Sequence, residues 1–437
     1  MTRHVAIVGS GPAGFYCAEA LCKKDPEIRI DILDRLPTPY GLVRTGVAPD
    51  HQGTKNVWRV FDRTAKRDNV RFFGNVEIDR DVNVEELLER YDAVVLAVGV
   101  TTDRKLGIEG EDLPGVYGSR SLSAWYNGHP DFADLDPELR GPGVAVIGNG
   151  NVAVDIVRVL SRERPEMSKT DITDYAMTKI EQSDYTDVYM LGRRGPVQAS
   201  FTTAELRELG DMTRTVAIVD PAQLPETVEV DDPKAQKKME KIVETLRDYS
   251  KNDPTSKPQR LHLRFFASPV RILGEDHVSG LEIAVTELKD GRPTPTGETY
   301  VLEVGTVISA IGYTAHTLDG VPIAKSGVCY ENVDGKVRDR LWAVGWAKRG
   351  PSGVIATNRA DSTEVAHRIL EELTDGGRAG GDALLALLGE RGAQVVTYDH
   401  WLTIDEHERG LADEHAPRVK ITSYDHLLVA STTKPDA

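Results

Sequence analysis

One local pattern narrows the possible folds of this chain more than any other, and it occurs twice. Residues His4 to Val8 form a short apolar run, and Gly9, Gly11 and Gly14 then give G-x-G-x-x-G in AIVGSGPAG. Ala18, Leu21 and Cys22 continue beyond it at helical spacing. The stretch VAVIGNGNVAVDI, Val144 to Ile156, repeats the plan with Gly148, Gly150 and Ala153 as G-x-G-x-x-A and Asp155 in the helix that follows. A strand, a glycine turn and a helix open a parallel βαβ unit. There the backbone can approach a pyrophosphate, whose charge meets the helix N-terminus. Each half therefore predicts an α/β, Rossmann-like dinucleotide-binding domain. A chain of 437 residues is also too long for one ordinary core.

The strand after each turn predicts which dinucleotide it takes. IRIDILD ends at Asp34, and a carboxylate there would accept hydrogen bonds from ribose hydroxyls and repel a 2′-phosphate. The first site thus favours FAD or NAD(H), although an ordinary charged strand end fits the same letters. After the second turn, DVYMLGRRGP carries Arg193 and Arg194 at the corresponding tip. Two guanidiniums suit a 2′-phosphate through forked, charge-assisted hydrogen bonds, and hence NADP(H). A solvated turn is the open alternative. Two dinucleotides in one chain imply hydride transfer between a resident flavin and an exchanging nicotinamide.

YDAVVLAVGV, Tyr91 to Val100, and TVISAIGYTA, Thr306 to Ala315, are matching β-rich runs that end in A-x-G and enclose the second fingerprint. This predicts a nucleotide domain at 107–314 inserted into a domain made of 1–106 and 315–437. Within the insertion, KTDITDYAMTKIEQS reads as helical and VEVDDPKAQKKMEKIVETLRDYS as an exposed charged helix. After it, LWAVGW reads as a strand, Gly350 to Gly353 as a turn, and a helix runs to about Leu373. That helix N-terminus would sit under the pyrimidine end of a flavin, though a plain strand–loop–helix fits equally. GGRAGGDALL reads as a surface connection.

Composition removes other classes. The net charge of −16 disfavours nucleic acid and anionic membrane as general partners. No apolar run could span a bilayer. The first strand starts so near the beginning that it leaves no room for a signal or transit peptide in the chain as it stands, which predicts a cytoplasmic protein. Cys17, Cys22 and Cys329 form neither C-x-x-C nor a four-cysteine cluster pattern, so they read as small buried residues of a reducing compartment. No metal site is expected.

The chain resembles the adrenodoxin-reductase-like ferredoxin–NADP⁺ reductases, bacterial members included. GSGPAG, LPTPYGLVRTGVAPDH, GNGNVAVD, GRRGPVQASFTTAELREL and VGWAKRGPSGVIATN carry the resemblance across nearly the whole chain. It implies FAD contacts at Ala13, Asp34, Leu42, Ile78, Trp346, Gly353, Val354 and Ile355. It implies NADP(H) contacts at Arg104, Gly150, Asn151, Val152, Ala153, Arg193, Arg194, Glu205 and Gly353. His51 and Glu208 are implied near the nicotinamide, as the residues closest to the chemistry. Asp34 departs from the family, whose members usually carry Glu there.

Hydride transfer needs no nucleophile, so the absence of a triad is consistent with this chemistry. The implied electron acceptor is a ferredoxin-like iron–sulfur protein, docked transiently on a protein that family analogy makes a monomer. Arg59, Arg63, Lys66 and Arg67 are the basic residues expected to meet it. The alternatives are a flavin monooxygenase or diaphorase, or a redox-sensing protein that binds FAD and NADP(H) without turnover.

Overall fold

The computed structural model describes residues 2–373 and 376–433. Both fingerprint strands form where expected, at His4–Val8 and Gly143–Ile147, and each is central in its own six-stranded sheet. In the first sheet the order is Lys336–Arg338, Leu341–Ala343, Ala93–Leu96, His4–Val8, Arg29–Asp34, Val70–Gly74. In the second it is Val116–Gly118, Thr306–Ser309, Gly143–Ile147, Asp187–Leu191, Gln259–Arg264, Thr215–Val219. The fingerprint strand pairs parallel with the same two kinds of neighbour in each. One neighbour is the strand whose tip is Asp34 or precedes Arg193, and the other is the strand that ends in A-x-G. Parallel strands covered on both faces explain why these runs read as continuous apolar stretches.

The two chain crossings lie side by side. Thr102–Asp103 and Tyr313–Thr314 form a two-stranded antiparallel ribbon, just past Gly99 and Gly312. All the strands of the second sheet fall between those crossings, together with a three-stranded antiparallel sheet of Ala267–Leu273, Gly280–Lys289 and Arg292–Leu302.

Three readings from the sequence change. The segment GGRAGGDALL is not simply a surface connection: Gly380 and Gly381 are buried, and a helix runs from Gly381 to Glu390. A Cβ on Gly380 would come within 2.0 Å of the His4 ring, so glycine serves close packing there. The charged helix Pro233–Tyr249 is exposed only in part, because Ile242, Leu246 and Tyr249 bury one face against the second core. Cys17 and Cys22 are buried as expected, but Cys329 is half-exposed.

The last part of the chain packs on the first sheet's core. Trp401 and Ile404, in the helix Tyr398–Gly410, join Val5, Ile7, Phe15 and Phe61 in one apolar cluster. The Tyr398 hydroxyl lies 2.7 Å from that of Tyr40 and donates to Asp62. Lys420 then reaches across to Asp171 of the inserted segment at 2.9 Å, where Lys55 also binds at 2.6 Å. The C-terminal residues therefore fasten both parts of the molecule.

Candidate functional site

The two turns are built alike. A Cβ on Gly9 would lie 2.4 Å from the Ala97 carbonyl oxygen, and one on Gly148 the same 2.4 Å from that of Ala310. Each turn thus presses against the A-x-G end of the neighbouring strand, an approach only glycine permits. The helices that follow, Pro12–Lys24 and Asn151–Leu160, start at Gly11 and Gly150 with no side-chain cap. Their first N–H groups remain available to an anion. Nothing lies within 4 Å of a Cβ built on Gly11, and the buried Asn149 Oδ1 has no partner. Free N–H groups at both turns, open space at the first and an orphaned polar atom at the second fit a dinucleotide backbone at each.

The strand tips differ. Asp34 accepts hydrogen bonds from the backbone N–H and hydroxyl of Ser10 and, through its other oxygen, from the Leu36 N–H at 3.0 Å. The acid is held over the glycine turn. Arg193 and Arg194 are both exposed, and neither side chain pairs with any described residue.

Where the two parts of the molecule meet, residues expected separately converge. His51 Nε2 lies 2.8 Å from Glu208 Oε2 and 3.5 Å from Glu205 Oε2, and its Nδ1 lies 3.7 Å from Asp155. Local structure explains the convergence. Asn151 of the second turn accepts from the Thr202 N–H at 2.8 Å, and Thr202 caps the helix Thr203–Glu208 through the Glu205 N–H. That short helix points both glutamates at His51. Fully buried Arg158 anchors the group, binding Asp50 at 2.7 and 3.0 Å, Asp155 at 2.8 Å and Glu208 at 3.2 Å. Burial would raise the Asp50 carboxyl, but Arg158 and then Arg162 hold it below its ordinary range. Burial raises Asp155, and burial followed by the Asp155 charge raises Glu205. The site is therefore an imidazole against a carboxylate, with two further acids beside it whose ionisation burial disfavours. The ligating atoms of His51, Glu205 and Glu208 lie within 4.8 Å of one another, and Arg158 supplies positive charge beside them.

Leu42 begins the short helix Leu42–Thr45, and Ala13 is buried in the first turn of its helix beneath Gly345. Trp346 is half-buried, stacks on Tyr313 with centroids 6.2 Å apart, and donates its indole N–H to Ser352. Gly353 and Val354 are exposed ahead of Ile355, where the helix to Glu372 begins. Ile78 is buried in the core with Val8 and Leu33, behind the turn. Arg104 joins the crossing ribbon through its backbone, and its guanidinium is exposed. Arg59, Arg63, Lys66 and Arg67 are exposed along the helix Trp58–Ala65 and just past it. Lys66 pairs with Asp62, and Arg59 lies over Trp58. Asp50 and Arg158 were missed from the sequence. An arginine inside the apolar helix NVAVDIVRVL was the available signal, since a buried charge requires a partner.

Residues 3–183 match the family described as pyridine nucleotide-disulphide oxidoreductase. The chain is 39% identical to NADPH-ferredoxin reductase FprA of Mycobacterium leprae (strain TN), over 98% of each chain. It is 37% identical to the mitochondrial NADPH:adrenodoxin oxidoreductase of Bos taurus, over 98% of this chain and 92% of that one. The solved structure of Mycobacterium tuberculosis FprA in complex with NADPH superposes with a TM-score of 0.95. It is 37% identical and covers 99% of this chain and all of its own.

Proposed function

The chain belongs to the adrenodoxin-reductase-like ferredoxin–NADP⁺ reductases, and from that premise we propose how its two turns divide the work. The protein is an NADPH-dependent FAD oxidoreductase acting with a ferredoxin- or adrenodoxin-type iron–sulfur protein. The observation that carries the division is the repeated strand–turn–helix with opposite charges at its two strand ends. Residues 1–106 and 315–437 hold FAD, and the inserted 107–314 holds NADP(H). Bound FAD supplies hydride uptake and one-electron release.

The chain's own residues bind, orient and tune. Asp34, fixed by Ser10, receives the adenosine ribose of FAD, and the uncapped helix Pro12–Lys24 meets its pyrophosphate. Ala13, Leu42, Trp346 and Gly353 to Ile355 complete that cleft, with Ile78 backing it from the core and the N-terminus of the helix Ile355–Glu372 turned toward the flavin. Arg193 and Arg194 take the 2′-phosphate of NADPH, while Gly150 to Ala153, Arg104 and Glu205 hold the remainder. His51 and Glu208 touch across the two parts of the chain and jointly set the nicotinamide's position.

Electron delivery calls for a docking surface for an acidic partner. Arg59, Arg63, Lys66 and Arg67 offer one. Docking is transient and the enzyme a cytoplasmic monomer. Among the described residues no helix is long and apolar enough to cross a membrane. The test is the pair Arg59→Glu and Arg63→Glu, assayed with NADPH. The Michaelis constant for ferredoxin should rise about tenfold, from lost steering and rim contacts, while reduction of a small dye is unchanged. Equal effects on both acceptors would remove this docking face.

A further inference from the structure

Buried charges in this molecule generally come with partners. Arg44 pairs with Glu408, Arg158 with Asp50, and Lys55 and Lys420 with Asp171. Arg120 is different. It is only 7% exposed, its side chain makes no ion pair or hydrogen bond with any described residue, and its enclosed Nη1 has no partner. The guanidinium lies over the Phe132 ring, 5.7 Å from its centroid.

The acids around it are already committed. Asp103 accepts from the backbone N–H groups of Arg120 and Ser121 at 2.8 and 3.1 Å. Asp131 binds Arg35 at 2.6 Å and accepts from the Tyr424 hydroxyl at 2.7 Å. Burial lowers the guanidinium's pKa, as expected of a cation whose charge is not matched. A lone buried charge is among the costliest groups a fold can carry, so its persistence calls for an anion that binds there.

Position identifies the anion. Arg120 is the second residue of the helix Ser119–Tyr126, in the inserted segment. Ser119, beside it in the chain, donates its hydroxyl to that of Tyr313 at 3.4 Å, and Tyr313 stacks on Trp346 at the flavin end of the first cleft. The Phe132 ring beneath the guanidinium packs edge-on with His129, which lies 3.3 Å from Arg35, the residue after Asp34 at the adenosine end. The cation therefore stands between residues marking the two ends of the FAD cleft, although it belongs to the other part of the chain. The charged group of oxidised FAD is its diphosphate, which lies between adenosine and flavin by constitution.

We propose that Arg120 is the inserted segment's contact to FAD, donating charge-assisted hydrogen bonds to the diphosphate. FAD is then held by both parts of the chain, and its binding ties the inserted segment to the outer one. The inference rests on the assignment of FAD to the first turn.

The test compares the unaltered chain with Arg120→Met and Arg120→Lys. FAD is removed from each, and the apoproteins are titrated with FAD by following flavin fluorescence, with melting temperatures recorded before and after. Arg120→Met should weaken FAD binding about 10- to 100-fold, the worth of one lost hydrogen bond to a charged group. The apoprotein's melting temperature should hold or rise, because an unmatched buried cation has been removed. Arg120→Lys should recover part of the affinity. FAD affinity unchanged in Arg120→Met would overturn the proposal, whatever happens to stability. So would an apoprotein destabilised by Arg120→Met with affinity fully restored only by conditions that restore the fold. Failure of the unaltered chain to bind FAD would instead refute the first-turn assignment.

Discussion

At the first glycine turn the strand-end acid is already engaged, with Asp34 hydrogen-bonded to Ser10 and Leu36. At the second, Arg193 and Arg194 stand in solvent, and neither side chain pairs with any described residue. The turns themselves match closely, down to the 2.4 Å approach of a built Cβ to the neighbouring carbonyl. The difference lies in finishing. A pre-ordered acid loses little freedom when its ligand arrives, which suits a cofactor that stays. Two free guanidiniums form their bonds only when a phosphate arrives, and salt screens them, which suits a substrate that exchanges.

The largest effect should come from removing the second site's charge. Arg193→Ala with Arg194→Ala should lower kcat/KM for NADPH by about 10²- to 10⁴-fold, from two charge-assisted contacts, and that for NADH by less than about threefold. Steady-state rates with both nucleotides check this, and equal losses would erase the distinction between the sites. Next, Asp34→Ala should weaken FAD binding about 10- to 100-fold in apoprotein titrations. With FAD saturating, KM for NADPH should not move; if it does, the turns are not independent.

His51 belongs to neither turn alone. His51→Gln should lower kcat about tenfold with FAD content unchanged, and Glu208→Gln added to it should cost little more, because the two act as a contacting pair. Additive losses would mean that they act separately.

An effect on stability and not on rate concerns pH and only the first site. His129 contacts Arg35, next to Asp34. Burial, followed by the Arg120 charge, pushes its imidazole down to about 3. Its folded value thus lies below the ordinary value near 6.5, so the stability it contributes is complete above pH 6.5 and lost as pH falls from there toward 3. At about 1.4 kcal/mol per pH unit, roughly 2 kcal/mol should disappear between pH 6.5 and 5. Calorimetry across that range should show His129→Gln with a flatter dependence of melting temperature on pH. An unchanged slope would mean that the imidazole titrates normally.

The sequence was most legible where structure is local. The strand His4–Val8, the helix after Gly11 and the strand ending at Asp34 depend on periodicity and glycine placement within a few dozen residues. The domain-boundary cluster was not legible as a cluster. Asp50 and Arg158 stand 108 positions apart, and His51 and Glu208 stand 157 apart. Nothing in the local sequence aims Glu205 and Glu208 at His51; the Asn151–Thr202 contact does so by fixing the start of their helix. The Gly-rich stretch near Gly380 misled because glycine there meets a packing demand from His4, far away in the chain. Arg120 carries no pattern of its own, and only its missing partners make it conspicuous.

The division of the two sites is tested most directly by anaerobic stopped-flow mixing of the FAD-loaded protein with NADPH and, separately, with NADH. The account predicts rapid bleaching of the flavin absorbance with NADPH and bleaching at least an order of magnitude slower with NADH at equal concentration. Equal rates with both nucleotides would contradict the role given to Arg193 and Arg194. No bleaching with either would contradict hydride transfer between the two sites.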